Sequence, residues 1–261
     1  MKSGKIMRRG LIGLWLAACL FMASAATADD AQPLTGETKT ASFRTVGNIV
    51  TIGRYEQDND LTNGPEEIEW IVLDVTEDKA LLLSKYGLDA KQYHKKYAGI
   101  TWEECSLRDW LNNEFINEAF SGEEQAAILL TKVDNSSEQG YSEWDTDGGN
   151  DTQDKIFLLS CAEANKYLDV TYDNNNNLKA RVVPTPYAIA HGAWTNYQWK
   201  TADGEDAGRW WLRSPGRHQY RAAFVYGAGS LRSTHVTSSN DHFGGNTVRP
   251  ALWLNLTSDI F

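Results

Sequence analysis

Aromatic and aliphatic residues come in short runs from Trp210 to Leu256, punctuated by Gly, Ser, Asn and Pro. Trp210-Trp211-Leu212-Arg213, Ala222-Ala223-Phe224-Val225, Gly229-Ser230-Leu231-Arg232 and Val248-Arg249-Pro250-Ala251-Leu252-Trp253-Leu254 each predict a strand. In the last run, period-two alternation puts Val248, Pro250, Leu252, Leu254 and Leu256 on one face. Arg249, Ala251, Trp253 and Asn255 fall on the other. Small and polar residues fill the stretches between, and a rigid sheet carrying such loops is a common construction for a binding module.

The first half alternates differently. Val46–Tyr55 predicts a strand, Asp58–Pro65 a turn region, and 69–75 with 80–84 a hairpin closed by Thr76-Glu77-Asp78-Lys79. These three strands make an N-terminal antiparallel sheet. Leu107, Trp110, Leu111 and Phe115 recur at helical spacing after a capping signal at Thr101 or Ser106, with Asn112-Asn113 breaking or bending the helix. A second short helical piece covers Phe115–Phe120. Ser121 and Ser160 each stand three residues before a Glu and open further helices. Strands are expected at Ile128–Val133 and Lys155–Leu159. A helix is expected from Pro184 or Pro186 to His191, ended by Gly192. Thr195–Ala207 reads as a loop with Tyr197 and Trp199 on it. The pattern predicts an α+β fold of antiparallel sheets with short helices. No linker divides residues 43–261, which are expected to form a single domain.

The N-terminus changes the picture of location. Lys2, Lys5, Arg8 and Arg9 precede an apolar run from Leu11 to Ala25, and Ala26-Thr27-Ala28 supplies small residues before Asp29. This predicts a signal peptide over 1–28, followed by a disordered linker over 29–42. Leu16-Ala17-Ala18-Cys19 offers the alternative of a lipoprotein anchored through Cys19. The whole chain carries a net charge of −10, and the leader takes four basic residues with it, which leaves −14. Such a surface repels phosphate backbones and anionic lipid, so neither nucleic acid nor membrane insertion after leader removal is expected.

Two cysteines remain, Cys105 and Cys161. They permit one disulfide, worth about 4 kcal/mol for a loop of that length, or stand as two buried thiols. No His or second Cys sits at metal-ligand spacing beside either. The run Asp145-Thr146-Asp147-Gly148-Gly149-Asn150-Asp151 invites calcium, but Asn150 and Ile156 occupy the positions where an EF-hand needs Gly and Glu. The loop is therefore solvated, or a calcium site of another kind. G-x-S-x-G, H-E-x-x-H and phosphate-cradling glycine loops are all missing, so no catalytic residue is assigned. Arg213 shares a face with Trp211 and Arg249 with Trp253. Buried arginines need partners, so both are expected in structural ion pairs or hydrogen bonds to loop carbonyls. Two loops mix rings with small polar residues, as recognition surfaces do. Arg217, His218, Gln219 and Tyr220 form the first. Asn240, Asp241, His242, Phe243 and Asn246 belong to the second, which runs from Ser238 to Asn246.

Five ordered markers carry a resemblance. They are Ile68–Asp74, Cys105–Asn113, Asp154–Ser160, the Trp210–Gly216 run and Val248–Leu254. On them the chain resembles a family of exported bacterial domains of unknown function. Its C-terminal half is similar to the C-type-lectin-like fold in its formylglycine-generating branch. The resemblance implies a fold and an address outside the cytoplasm, not an activity. That branch works through cysteines near its C-terminus, and this chain has none after Cys161. The Glu-Pro-Asn, Gln-Pro-Asp and Trp-Asn-Asp motifs of calcium-dependent sugar binding are also missing. The expected function is a non-catalytic module that binds an extracellular glycan or protein. An extracytoplasmic enzyme acting on glycans and a purely structural accessory domain are the alternatives.

Overall fold

The computed structural model describes residues 36–238 and 245–261. Its first helix, α1 (Gly36–Phe43), lies where an arm was expected. Phe43 explains the difference, because its ring is buried edge-on against Phe261 at 5.1 Å. Strands β1 (Ile49–Tyr55), β2 (Glu66–Val75) and β3 (Lys79–Ser84) pair antiparallel as the alternation requires, with Ile68, Trp70 and Val72 turned inward. Gly53 sits at the β1 bulge with φ 72°. A Cβ there would stand 2.6 Å from the Phe120 ring, so only glycine fits.

After β4 (Asp89–Ala90) the chain enters α2 (Ser106–Trp110), capped by the Cys105 thiol. Asn112-Asn113 do not break this helix. The chain widens into a π-helical turn over Leu111–Phe115 and continues as α3 (Ile116–Ala119). The Asn112 amide then donates to the Ile156 carbonyl at 2.8 Å and accepts from the Lys155 amide at 2.9 Å. It thereby stitches the helix to the 155–159 segment. Both capping boxes form as spaced, Ser121 opening α4 (Gly122–Ala127) and Ser160 opening a later helix.

The middle of the chain departs most from expectation. Strand β5 (Thr131–Val133) pairs with β6 (Thr152–Asp154), and only Phe157 of the expected 155–159 strand makes a bridge, to Ala251. Ile156, Phe157, Leu158 and Leu159 are all buried, so burial rather than strand pairing explains their apolar run. Next come α5 (Cys161–Leu168), ended by Asp169 in the left-handed region, and α6 (Pro186–Ala190), capped by Thr185. The expected loop over 195–207 is a bulged hairpin, β7 (Thr195–Lys200) with β8 (Asp206–Gly208).

The C-terminal strands are β9 (Trp210–Pro215), β10 (Arg221–Val225), β11 (Leu231–His235), β12 (Thr247–Val248) and β13 (Ala251–Asn255). They serve two sheets. One has the order β1-β2-β3-β13 and the other β11-β10-β9-β12-β4. Arg249-Pro250 is the crossover between them, which is why the single alternation expected for 248–256 is interrupted there. Every residue of β9 is buried, as for a strand covered on both faces. The architecture is thus α+β, with sheets mainly antiparallel and helices short. Among the described residues no helix is long and apolar enough to cross a membrane.

Candidate functional site

Burial sorts the candidate residues. Arg213, on β9, is 2% exposed and grips Glu163 of α5 with both terminal nitrogens, one at 3.1 Å. It also donates to the carbonyls of Leu158 at 2.8 Å and Asp134 at 3.0 Å. This is an ion pair supported by loop carbonyls. Its neighbour Trp211 is fully buried and donates to the Lys91 carbonyl at 2.8 Å.

Arg249 is equally buried but differently held. Nε donates to the Ser84 carbonyl at 2.8 Å, the guanidinium lies 5.0 Å from the Trp210 ring, and Nη1 has no hydrogen-bond partner among the described residues. Burial pushes this guanidinium down to about 9, which still leaves it charged at neutral pH. Trp253, expected on its face, lies instead under Lys79 at 4.7 Å, because the two residues fall on opposite sides of the crossover.

Cys105 and Cys161 are buried free thiols, not a disulfide. Each holds a helix start: the Cys105 thiol accepts from the Arg108 amide, and the Cys161 amide donates to Ser214 Oγ at 3.0 Å. Burial pushes both thiols up to about 12, so neither is a thiolate at neutral pH. Two carboxylates of the 145–151 loop are engaged. Asp151 pairs with Lys132 at 2.9 Å, and Asp147 accepts from the Gly149 amide at 2.9 Å. No group of three metal-ligand side chains gathers there among the described residues.

The first candidate loop, between β9 and β10, does converge with other rings. His218 stacks on Tyr220 with centroids 5.3 Å apart and planes at 19°. Tyr97 lies 5.3 Å from Tyr220 and 5.3 Å edge-on from His235, and Tyr220 lies 5.8 Å from His235. Tyr97 is 60% exposed. Gln219 is the clamp beneath: it donates to the carbonyls of Ile100 and Asp147 and accepts from the Asp147 amide. Three loops are thus locked around the rings. Arg217 and His235 are exposed, and Arg221 Nη2 reaches within 3.5 Å of His235 Nε2. Exposed Lys95 and Lys96 directly precede Tyr97, so an aromatic cluster carries a basic rim on an acidic chain.

The second candidate loop starts beside the first. The Val236 amide donates to the Tyr220 carbonyl at 3.1 Å, and the Ser238 amide to that of His235. The loop returns elsewhere, where Gly245 bridges Ala193. Asn246 is 2% exposed at that end, away from the ring cluster in the sheet order and without the exposure a contact residue needs. Asn240, Asp241, His242 and Phe243 lie outside the described residues.

Sequence reasoning did not single out Tyr97 or His235. The signal for Tyr97 was there, a Lys-Lys-Tyr run in a chain of opposite net charge. It also missed Asp89. This buried carboxylate accepts from Tyr55 at 2.9 Å, pairs with Lys91 at 3.0 Å and lies 2.8 Å from His191 Nδ1. One open groove, of about 980 Å³, runs past Gly53, Glu67, Glu118 and Glu124. Two of its carboxylates are engaged, Glu67 by Arg54 and Glu124 by the Ser121 and Gly53 amides.

A family model described as a domain of unknown function, DUF6273, matches residues 77–256. No curated protein matches, and no solved structure matches. The matched stretch takes in the ring cluster and both buried arginines but begins in the turn before β3, so β1 and β2 of the first sheet lie outside it. The chain belongs to the DUF6273 family.

Proposed function

We propose that this member of the DUF6273 family is an exported, non-catalytic binding module that takes an acidic glycan on the face formed by Tyr97, His218, Tyr220 and His235. The observation that carries the reading is a locked cluster of rings over which, among the described residues, no cation lies. Flat rings stack against the apolar faces of sugars and give contact area at low entropy cost, while adjacent polar groups fix orientation. The rim of Lys95, Lys96, Arg217 and Arg221 selects for carboxylate or sulfate groups on the sugar. Export, whether free or anchored through Cys19, belongs to the same proposal. A glycan array probed with the full chain tests it. Retention of uronic-acid or sulfated glycans over neutral ones is expected, and indifference to every glycan class would overturn it.

The second reading, an extracytoplasmic enzyme, is favoured by one observation. Asp89 orients His191 as a carboxylate orients a catalytic imidazole. Hydrolysis of an array-selected glycan, lost in His191→Gln with binding retained, would establish it in place of the first.

A further inference from the structure

The connection between β1 and β2 brings three carboxylates to one point. One oxygen from each of Glu56, Asp58 and Glu66 lies within 4.8 Å of the other two. Like charges this close repel, and a protein usually offsets them with an arginine or lysine. Here the nearest basic residue in the strands, Arg54, pairs instead with Glu67 at 2.9 Å. Among the described residues no ion pair reaches any of the three.

Glu56 makes the cluster more than an acidic surface. The residue is 8% exposed, and its buried Oε1 has no hydrogen-bond partner among the described residues. A buried carboxylate oxygen with neither donor nor counter-charge is costly. The donors present hold the other two groups in place. Glu66 Oε2 accepts from the Gln57 amide at 2.7 Å, Asp58 Oδ1 from the Asp60 amide at 2.7 Å, and Asp58 Oδ2 from Asn63 at 2.8 Å.

We propose that Glu56, Asp58 and Glu66 form a divalent-cation site of the calcium class. The donor set is entirely oxygen and carboxylate, which suits a hard cation and not a thiolate- or imidazole-seeking metal. Two oxygens each about 2.4 Å from one calcium ion stand at most about 4.8 Å apart, the span over which these three gather. The bound ion would tie the end of β1 to the start of β2 and remove the repulsion among the three carboxylates. This site is independent of the ring cluster and lies outside the stretch that the family model covers.

Thermal unfolding of the full chain after EDTA treatment, repeated in CaCl2 or MgCl2 up to about 10 mM, tests the proposal, with terbium luminescence as a direct probe of occupancy. Calcium is expected to raise the melting temperature and EDTA to reverse it. Asp58→Asn, at an exposed position, should weaken calcium binding at least tenfold, and Glu56→Gln should abolish the calcium-dependent shift. Glu67→Gln, whose carboxylate is already paired with Arg54, should leave the shift intact. Should Glu56→Gln fail to fold, Asp58→Asn carries the test alone. Overturning results are a wild-type chain with neither a calcium-dependent shift nor terbium signal, a response to magnesium but not calcium, or an Asp58→Asn variant that binds as wild type.

Discussion

Two groups of aromatic rings border the C-terminal sheet, and they differ in what covers them. In the first, the Arg209 guanidinium lies 3.9 Å from the Trp194 ring and 5.1 Å from Tyr226, and Arg181 lies 5.4 Å from Trp199. Deeper in, Arg249 covers Trp210 and Arg213 approaches Phe157 at 6.0 Å. In the second group, Tyr97, His218, Tyr220 and His235 pack on one another stacked, tilted or edge-on, Arg221 reaches His235 Nε2 at 3.5 Å, and among the described residues no cation lies over any of the four rings. A ring whose face is filled by the chain's own cation is already satisfied. A ring without such a cover, held by a half-buried clamp such as Gln219, is prepared for a ligand. Abundant aromatic residues therefore do not mark a site by themselves, and the covering of each ring separates scaffold from surface.

The largest effect should come from the covered group. Arg213→Ala strands Glu163 and removes two carbonyl contacts, so a loss of about 3–5 kcal/mol is expected in denaturant unfolding. A cost under about 1 kcal/mol would show that the β9–α5 ion pair does not hold the sheet. Trp194→Ala should cost about 2 kcal/mol, since its ring is only partly buried and its cation contact is lost with it. Loss of glycan binding in that variant with an unchanged melting temperature would blur the distinction, by turning a covered ring into a contact residue.

Much of this was legible in the sequence because local chemistry decided it. The β2–β3 hairpin and the Ser121 and Ser160 capping boxes follow from spacing alone, and the structure forms them where the spacing puts them. The errors share a cause, which is that tertiary contacts overrode local pattern. Asn112-Asn113 predict a break or a bend, and the helix distorts without stopping, because Asn112 Oδ1 accepts from the Lys155 and Ile156 amides across the fold. Leu158 and Leu159 read as strand because burial and strand pairing leave the same apolar signature. The alternation through Arg249 read as one strand because nothing local announces a change of sheet. The site shows the same division. Loop composition pointed to His218 and Tyr220, while Tyr97 and His235 join them only through folding.

The open group should show the reverse behaviour. Tyr220→Ala is expected to weaken glycan binding about tenfold, or about 1.4 kcal/mol, while unfolding stability changes by less than about 1 kcal/mol. Isothermal titration alongside calorimetric melting checks both halves of that statement. The smallest effect is expected at Arg249, whose guanidinium is covered but lacks a carboxylate partner among the described residues. Arg249→Met, an apolar side chain of similar length, should leave stability within about 1 kcal/mol of wild type or raise it, because the cost of burying an unpaired charge disappears. A loss above about 3 kcal/mol would mean that the Ser84 contact and the Trp210 face matter more than the charge burial opposes.

The most direct test measures one dissociation constant in two proteins. The best acidic glycan from an array is titrated into the wild-type chain and into the Tyr97→Ala/Tyr220→Ala double variant, with melting temperature recorded for each. The account predicts that binding falls by at least a hundredfold while the melting temperature moves by only a few degrees, since the exposed Tyr97 and half-buried Tyr220 rings carry recognition rather than folding. Equal affinity in the two folded proteins would contradict it and place the ligand elsewhere on the molecule.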